Sequence, residues 1–342
     1  MKHIKHLTAL ALTLIMVFCL SACGSSGASS AAASGSAAAS SSEEDAVTIR
    51  AAALKGPTAM GLVKLMNDAD SGDTTYGTYD FTIAAAADEI TPALIQGELD
   101  VACVPANLAA VLYNKTQGGI TTLAINTLGV LYIVENGNAV QSLADLKGQT
   151  IVASGKGSTP EYALRYLLSE NGLDPDTDVV IDWKSEHSEC VSALASGAAT
   201  IALLPQPFVT VAQSKLTDLR IALDLTEEWA KLDNGSSLLT GVVIARSEFA
   251  QEHPAAIEAF LEGYADSVSY VNSNTADAAQ LIGDYGIVDA AVAEKALPYC
   301  NITCVTGSDM KTQLSGYLAV LHEQNPESVG GSLPNDDFYY GA

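Results

Sequence analysis

Short apolar runs, each followed by a small or polar turn and then a helix-period stretch, recur along this chain. That rhythm constrains its fold more than any other feature. Residues 47–54 form a strand candidate, Lys55-Gly56-Pro57-Thr58 a turn, and Met60, Leu62, Val63, Leu65 and Met66 the apolar stripe of a helix. Residues 79–83 alternate as a strand. A helix follows, capped by Asp88 or Thr91, with Pro92 in its first turn and Gly97 near its end. A strand over 100–104 and a helix over 107–113 come next, then strands over 120–125 and 130–134.

The second half repeats the scheme. A short helix over 140–147 leads to a strand over 150–153, a glycine-rich loop and a helix over 161–170 that Asn171-Gly172 closes. Strands follow over 179–183, 201–204, 220–223 and 241–245, with a helix through Val191 and Leu194. The last third is helical. Ile257, Phe260, Leu261, Tyr264, Val268 and Val271 share one face, and further helices cover 276–285, 288–296 and 310–324. Alternating strands and helices predict an α/β protein with mainly parallel sheets and helices on both faces.

In such sheets ligands sit beyond the carboxyl ends of the strands. Five strand-end loops there are small or polar: Gly56-Pro57-Thr58, Ala86-Ala87-Asp88, Pro105-Ala106-Asn107, Gly157-Ser158-Thr159-Pro160 and Ser185-Glu186-His187-Ser188. Helix N-termini present unpaired N–H groups, so such loops hold a carboxylate, a sulfonate or a polar ring. Each Ser, Thr, Asp or Asn has a plainer use as a cap of its own helix. Five such loops at one end of two lobes favour a shared cleft. Pro205-Gln206-Pro207 fixes the backbone at a strand end, and Gln206, which both donates and accepts, is expected in that cleft. Trp183 and Trp229 either stack on a ring or fill the core.

Several chemistries find no support. Gly155-Lys156-Gly157-Ser158-Thr159 lacks the spacing of a phosphate-binding loop, and no Gly-x-Ser-x-Gly elbow accompanies His187. No His partners the cysteines at zinc spacing, so no metal centre is expected. Formal charge is −24, with no basic cluster to meet a phosphate backbone, so nucleic acid is not an expected partner. The 48% hydrophobic content suits a globular body over the roughly 300 residues that follow residue 45. Cys103 lies in an apolar run and reads as buried; Cys300 and Cys304 are close enough in sequence for a local disulfide or remain free thiols.

The N-terminus reads as a processing segment. Lys2 and Lys5 precede an apolar run over 7–20 that is short for a membrane span and ends in small residues. Leu20-Ser21-Ala22-Cys23 resembles a bacterial lipobox, which implies a signal peptide over 1–22 and lipidation of Cys23. Residues 23–45 are mostly Ser, Gly and Ala, a flexible tether that cannot bury a core. Loss of Lys2 and Lys5 leaves 14 basic against 40 acidic residues, a charge of −26.

Four segments carry a wider resemblance: residues 54–61, residues 104–109, Leu203-Leu204-Pro205-Gln206-Pro207, and Val243-Ile244-Ala245-Arg246 with His253-Pro254. They are similar to bacterial ABC-transporter substrate-binding lipoproteins, in the group of nitrate, sulfonate, taurine and thiamine-precursor binders. The resemblance covers the chain beyond the tether. It implies a type II periplasmic-binding fold, two lobes joined by two crossing strands. Lobe I is expected over 46–128 plus 247–342 and lobe II over 129–246.

It also implies ligand contacts from the first helical turns, here Thr58, Ala59, Asp88, Asn107, Ser158, Thr159 and His187, with Asn126 and Thr127 at the hinge. The implied function is capture of a small organic solute and its delivery to an ABC permease. The protein would act as a monomer without cofactor or catalysis, held by palmitate-type chains on the extracytoplasmic face of the cell membrane. Near the loops stand only Lys55, Lys156 and Lys184 and no arginine, which suggests a neutral, zwitterionic or aromatic solute. Two other readings stay open. One is an enzyme on this fold, resembling menaquinone-pathway proteins that perform eliminations, with Asp88, Glu186 and His187 as acid–base candidates. The other is a ligand-sensing lipoprotein.

Overall fold

A computed structural model describes residues 47–342. The expectations for the signal peptide, Cys23 and the tether lie outside the described residues.

The chain opens with β1 (Thr48–Leu54), the short helix α1 (Pro57–Met60) and α2 (Val63–Ser71). β2 (Thr78–Ala84), α3 (Ala87–Ile95), β3 (Val101–Pro105) and α4 (Ala106–Thr116) complete the first run, and β4 (Ile120–Leu128) leads out of it. A second run holds β5 (Leu131–Glu135), β6 (Thr150–Ser154), α5 (Thr159–Glu170), β7 (Val180–Lys184) and α6 (His187–Ala195). It ends in β8 (Ile201–Pro205), α7 (Phe208–Lys215), β9 (Arg220–Asp224) and α8 (Leu225–Ala230). The chain returns along β10 (Leu239–Arg246) to α9 (Ser247–Glu252), α10 (Pro254–Ser273), α11 (Thr275–Asp284), α12 (Ala290–Ala296), β11 (Ile302–Val305) and α13 (Gly307–Gln324).

These elements make two lobes. One sheet has the order β11-β4-β10-β3-β1-β2 and the other β7-β6-β8-β5-β9. β4 leaves the first sheet for the second, and β10 brings the chain back. Of the strands buried throughout, β8 is a continuous apolar run and β5 is one until Glu135, which pairs with Arg220, as strands covered on both faces require. The edge strand β2 alternates exposed and half-buried positions.

The expectation of mainly parallel sheets is corrected. β1 is parallel to β2 and β3, and β6 to β7 and β8. However, β10 runs antiparallel to β3 and β4, β11 to β4, and β5 to β8 and β9. A strand that carries the chain back between lobes enters its sheet from the opposite end, so it reverses direction against its neighbours. β11, which no periodicity in the sequence marks, pairs with β4 at Ile302 and Val305.

Three apolar clusters hold the body together. One fills the far face of the first sheet under α2 and α10, with Phe260, Tyr264 and Val271 at its centre. A smaller one lies under α6 and α7. The third runs through both lobes, from Ala102, Leu112 and Val242 to Ile151, Leu164, Leu203 and Trp229, and takes in Tyr317 and Leu318 of α13. Trp229 is fully buried between Tyr166 and Tyr317, with ring centroids 4.7 and 5.6 Å away. Trp229 is therefore core, as is Cys103. Cys300 and Cys304 are free thiols.

Candidate functional site

The carboxyl ends of both sheets open on one cleft of about 480 Å³. All five strand-end loops reach it. Its walls include Pro57 and Thr58 before α1, Ala85, Ala86 and Ala87 before α3, and Pro105 before α4. From the second lobe come Ser158, Thr159 and Pro160 at α5, and Ser185, Glu186, His187 and Ser188 at α6.

First-turn glutamates pin three of these loops. Glu89 Oε1 accepts from Ala85 N (3.2 Å) and Ala86 N (3.0 Å), and Glu189 Oε2 from Ser185 N (2.8 Å) and Glu186 N (3.3 Å). Glu161 Oε2 accepts from Gly157 N at 2.6 Å. The first amides of each helix have no partner within the helix. These helices therefore end at the cleft with donors to spare and the positive ends of their dipoles. Expectation and structure differ at α3. It starts at Ala87, two residues before the start an Asp88 cap implies and five before that of a Thr91 cap, and Pro92 lies inside it. The Glu89 side chain does the capping that the sequence suggested for Asp88 or Thr91.

Of the ten residues expected at the site, Thr58, Ser158, Thr159 and His187 line the cleft. Thr58 Oγ1 is occupied, donating to Leu54 O at 2.8 Å. Ser158 sits at the N-cap of α5 but makes no capping bond with its side chain, so its hydroxyl remains available. The His187 ring meets Ser154 Oγ through Nδ1 at 2.5 Å and packs on Phe208 at 4.9 Å between centroids. Desolvation pushes its pKa down to about 4, so the ring is neutral at pH 7.

The other six stand behind or beside the wall. Ala59 is fully buried under it, and Asp88 is exposed outside it. Asn107 is buried and joins the lobes: its Nδ2 donates to Ser328 O (3.0 Å) and Gly157 O (3.4 Å), and its Oδ1 accepts from Thr159 Oγ1 (3.4 Å). Asn126 Nδ2 donates to Thr58 O at 3.4 Å while its Oδ1 accepts from Thr127 Oγ1 at 3.0 Å. This pair braces the loop that carries Thr58. Gln206 lines a separate depression with Tyr132 and Tyr299. Its Oε1 accepts from Thr210 N (3.3 Å) and Thr210 Oγ1 (2.9 Å) and so caps α7.

Sequence reasoning left out several wall residues. Phe208, Ile287, Leu54 and Leu131 add apolar surface, and Thr240 adds a hydroxyl. Ile287 comes from the turn between α11 and α12, where no pattern relates it to a strand end. The charged residues in the wall are Lys55, Lys156 and Glu186. Neither lysine has an ion-pair partner among the described residues. In a chain of charge −24, the cleft carries an excess of positive charge.

Two lobes, two crossing strands and a loop-lined cleft between them define a periplasmic binding protein of type II. The sequence matches the family of ABC-transporter, phosphonate, periplasmic substrate-binding proteins over residues 74–294, and the chain belongs to that family. It is thus the extracytoplasmic solute-binding component of an ABC import system. Solved structures agree on the fold. An ABC transporter protein from Parabacteroides distasonis superposes with a TM-score of 0.71 at 21% identity, over 85% of this chain and 98% of the other. The periplasmic aliphatic sulphonate binding protein of Escherichia coli gives 0.65 at 17% identity, over 83% and 95%. The alkanesulfonate-binding protein of Xanthomonas axonopodis pv. citri, bound to MOPS, gives 0.64 at 16% identity, over 84% and 94%. No curated protein matches the sequence.

Proposed function

We propose that this protein captures a small organic oxyanion, a phosphonate or sulfonate, without altering it chemically, and hands it to a membrane permease. The observation that carries the reading is the unpaired Lys55 and Lys156 beside the N-terminal ends of α3, α5 and α6, in a cleft with one carboxylate in its wall. Fixed donors and cations at this density favour negative charge. An oxyanion replaces the neutral, zwitterionic or aromatic solute that the sequence suggested. The cleft volume of about 480 Å³ matches ~16 waters of liquid. An inorganic oxyanion leaves most of that space wet, while an organic arm fills it against Phe208, Ile287 and Leu54.

The contacts are assigned to Thr58, Ser158, Thr159 and His187, with Lys55 and Lys156 added. Ala59, Asn107, Asn126, Thr127 and Gln206 serve as support. Lobe I comprises 46–128 and 247–342, lobe II 129–246, and a ligand that touches both favours closure. Residues 1–22 are a cleaved signal, and Cys23 carries the lipid that holds a monomer at the extracytoplasmic membrane face through the 23–45 tether. The absence of Asp88 from the cleft wall and the neutral His187 leave an elimination enzyme short of a poised acid–base pair. A sensing lipoprotein would bind the same guest and differ only in its receptor.

The test is a thermal-shift and calorimetric panel of alkylphosphonates, alkanesulfonates, nitrate, pyrimidines and amino acids. A ligand at 100 times its Kd adds about 2.7 kcal/mol of stability, which raises Tm by roughly 4 °C for a body of this size. Phosphonates or sulfonates are expected to give that shift. Lys55→Ala and Lys156→Ala should each weaken binding by about tenfold, more so at low salt. A response to neutral compounds alone, or turnover of any panel member, sinks the proposal.

A further inference from the structure

We propose that Thr240, on the strand returning from the second lobe, is a ligand contact that reads a polar substituent on the organic arm of the guest. This deepens the oxyanion reading above and rests on it.

Backbone geometry points there first. β10 pairs Leu239 with Leu128 and Gly241 with Thr127, so two steps on β10 face one step on β4. Pairing with β3 starts only at Gly241. Thr240 itself pairs with neither β3 nor β4, and the register resumes at Val242 opposite Ile125, so the ladder is locally irregular at this residue. Thr240 belongs to the cleft wall, as do Leu131, Pro105 and Pro205.

Hydrogen bonding points there independently. Thr240 Oγ1 is buried and has no partner, a state that is unfavourable and uncommon in folded proteins. Other hydroxyls of the wall are occupied. Thr58 donates to Leu54 O, Thr159 to Asn107, and Ser188 to Glu186, while Ser154 meets His187. Ser158 and Ser185 reach solvent. Among the described residues, Thr240 carries the buried hydroxyl of the wall that is left without a bond. A hydroxyl, amine or carbonyl on the guest completes it. The lysines lie in other loops, so the oxyanion and the substituent are read at separate places.

The experiment uses two probe pairs: 2-hydroxyethylphosphonate with propylphosphonate, and 2-hydroxyethanesulfonate with propanesulfonate. Each is titrated into wild type, Thr240→Val and Thr240→Ser. Wild type should prefer the hydroxylated member of a pair by about tenfold or more. Thr240→Val should abolish the preference and Thr240→Ser keep most of it. The Tm of unliganded Thr240→Val should equal or exceed that of wild type, because the hydroxyl has no partner to lose.

Equal preference in all three proteins overturns the inference, and so does a lowered Tm for Thr240→Val, which would show a bond made within the protein. Failure of the oxyanion reading looks different: no probe binds any of the three. In that case the Tm comparison decides, an unchanged or higher value supporting a hydroxyl reserved for a guest and a lower one overturning it.

Discussion

At the scale of single residues, the structure separates side chains that line the cleft from those that hold its wall in place. Asn107, Asn126 and Thr127 are polar and lie next to strand-end loops, which is why they read as ligand contacts. Asn107 bonds Ser328, Gly157 and Thr159, Asn126 bonds Thr58, and Thr127 donates to Asn126. A sequence shows that an amide sits near a loop but not which neighbour it meets. His187 supplies a titration test. Its pKa is lowered to about 4 from the ordinary value near 6.5. Between those values the unfolded chain takes up a proton that the folded protein refuses. The stability it contributes is thus present above pH 6.5 and is lost as pH falls toward 4. Wild type should therefore lose stability relative to His187→Gln across that window, by at most about 1.4 kcal/mol per pH unit. Urea melts at pH 7, 5.5 and 4.5 measure this, and parallel curves for the two proteins would contradict the assignment.

At the scale of elements, the crossing strand β10 is the most tightly constrained piece. A Cβ on Gly241 would lie 2.5 Å from both Asn126 Oδ1 and Thr58 Cγ2, so glycine is needed for the strand to pass between the hinge and the Thr58 loop. Gly241→Ala should destabilise the protein by about 1–3 kcal/mol. It should also weaken ligand binding, because the displaced groups carry the Thr58 loop. Denaturant midpoints and calorimetry check both, and an unchanged midpoint would contradict the close approach. Helix limits shifted for a related reason. The Asp88 or Thr91 start of α3 followed from local capping rules, whereas the Glu89 side chain reaches back to Ala85 and Ala86 and lets the helix begin at Ala87.

At the scale of the whole molecule, the two lobes are not independent bodies. α13 packs its Tyr317 on Trp229 of the second lobe. The segment after it bonds back to the first, with Asn114 Nδ2 donating to Val329 O at 2.8 Å and Tyr340 N to Thr122 O at 3.0 Å. One apolar cluster runs through both lobes. Unfolding should therefore be a single cooperative transition, with calorimetric and van't Hoff enthalpies equal. Trp229→Ala should cost about 3–5 kcal/mol. Two separable transitions in the wild-type protein would refute the shared core.

The sequence by itself determined the alternation of strands and helices, the five loops at the strand ends and the acidic balance of the chain, because periodicity and turn chemistry are local. That all five loops meet in one cleft was legible too, since chain direction in an α/β sheet puts strand ends on one side. Tertiary structure alone decided the antiparallel course of β10, the irregular pairing at Thr240, and the reach of Ile287 into the wall. It also decided that Gln206 caps a helix away from the cleft and that Lys55 and Lys156 find no ion-pair partner among the described residues. Each of these depends on which distant segments come within a few ångströms, and spacing along one chain does not encode that distance.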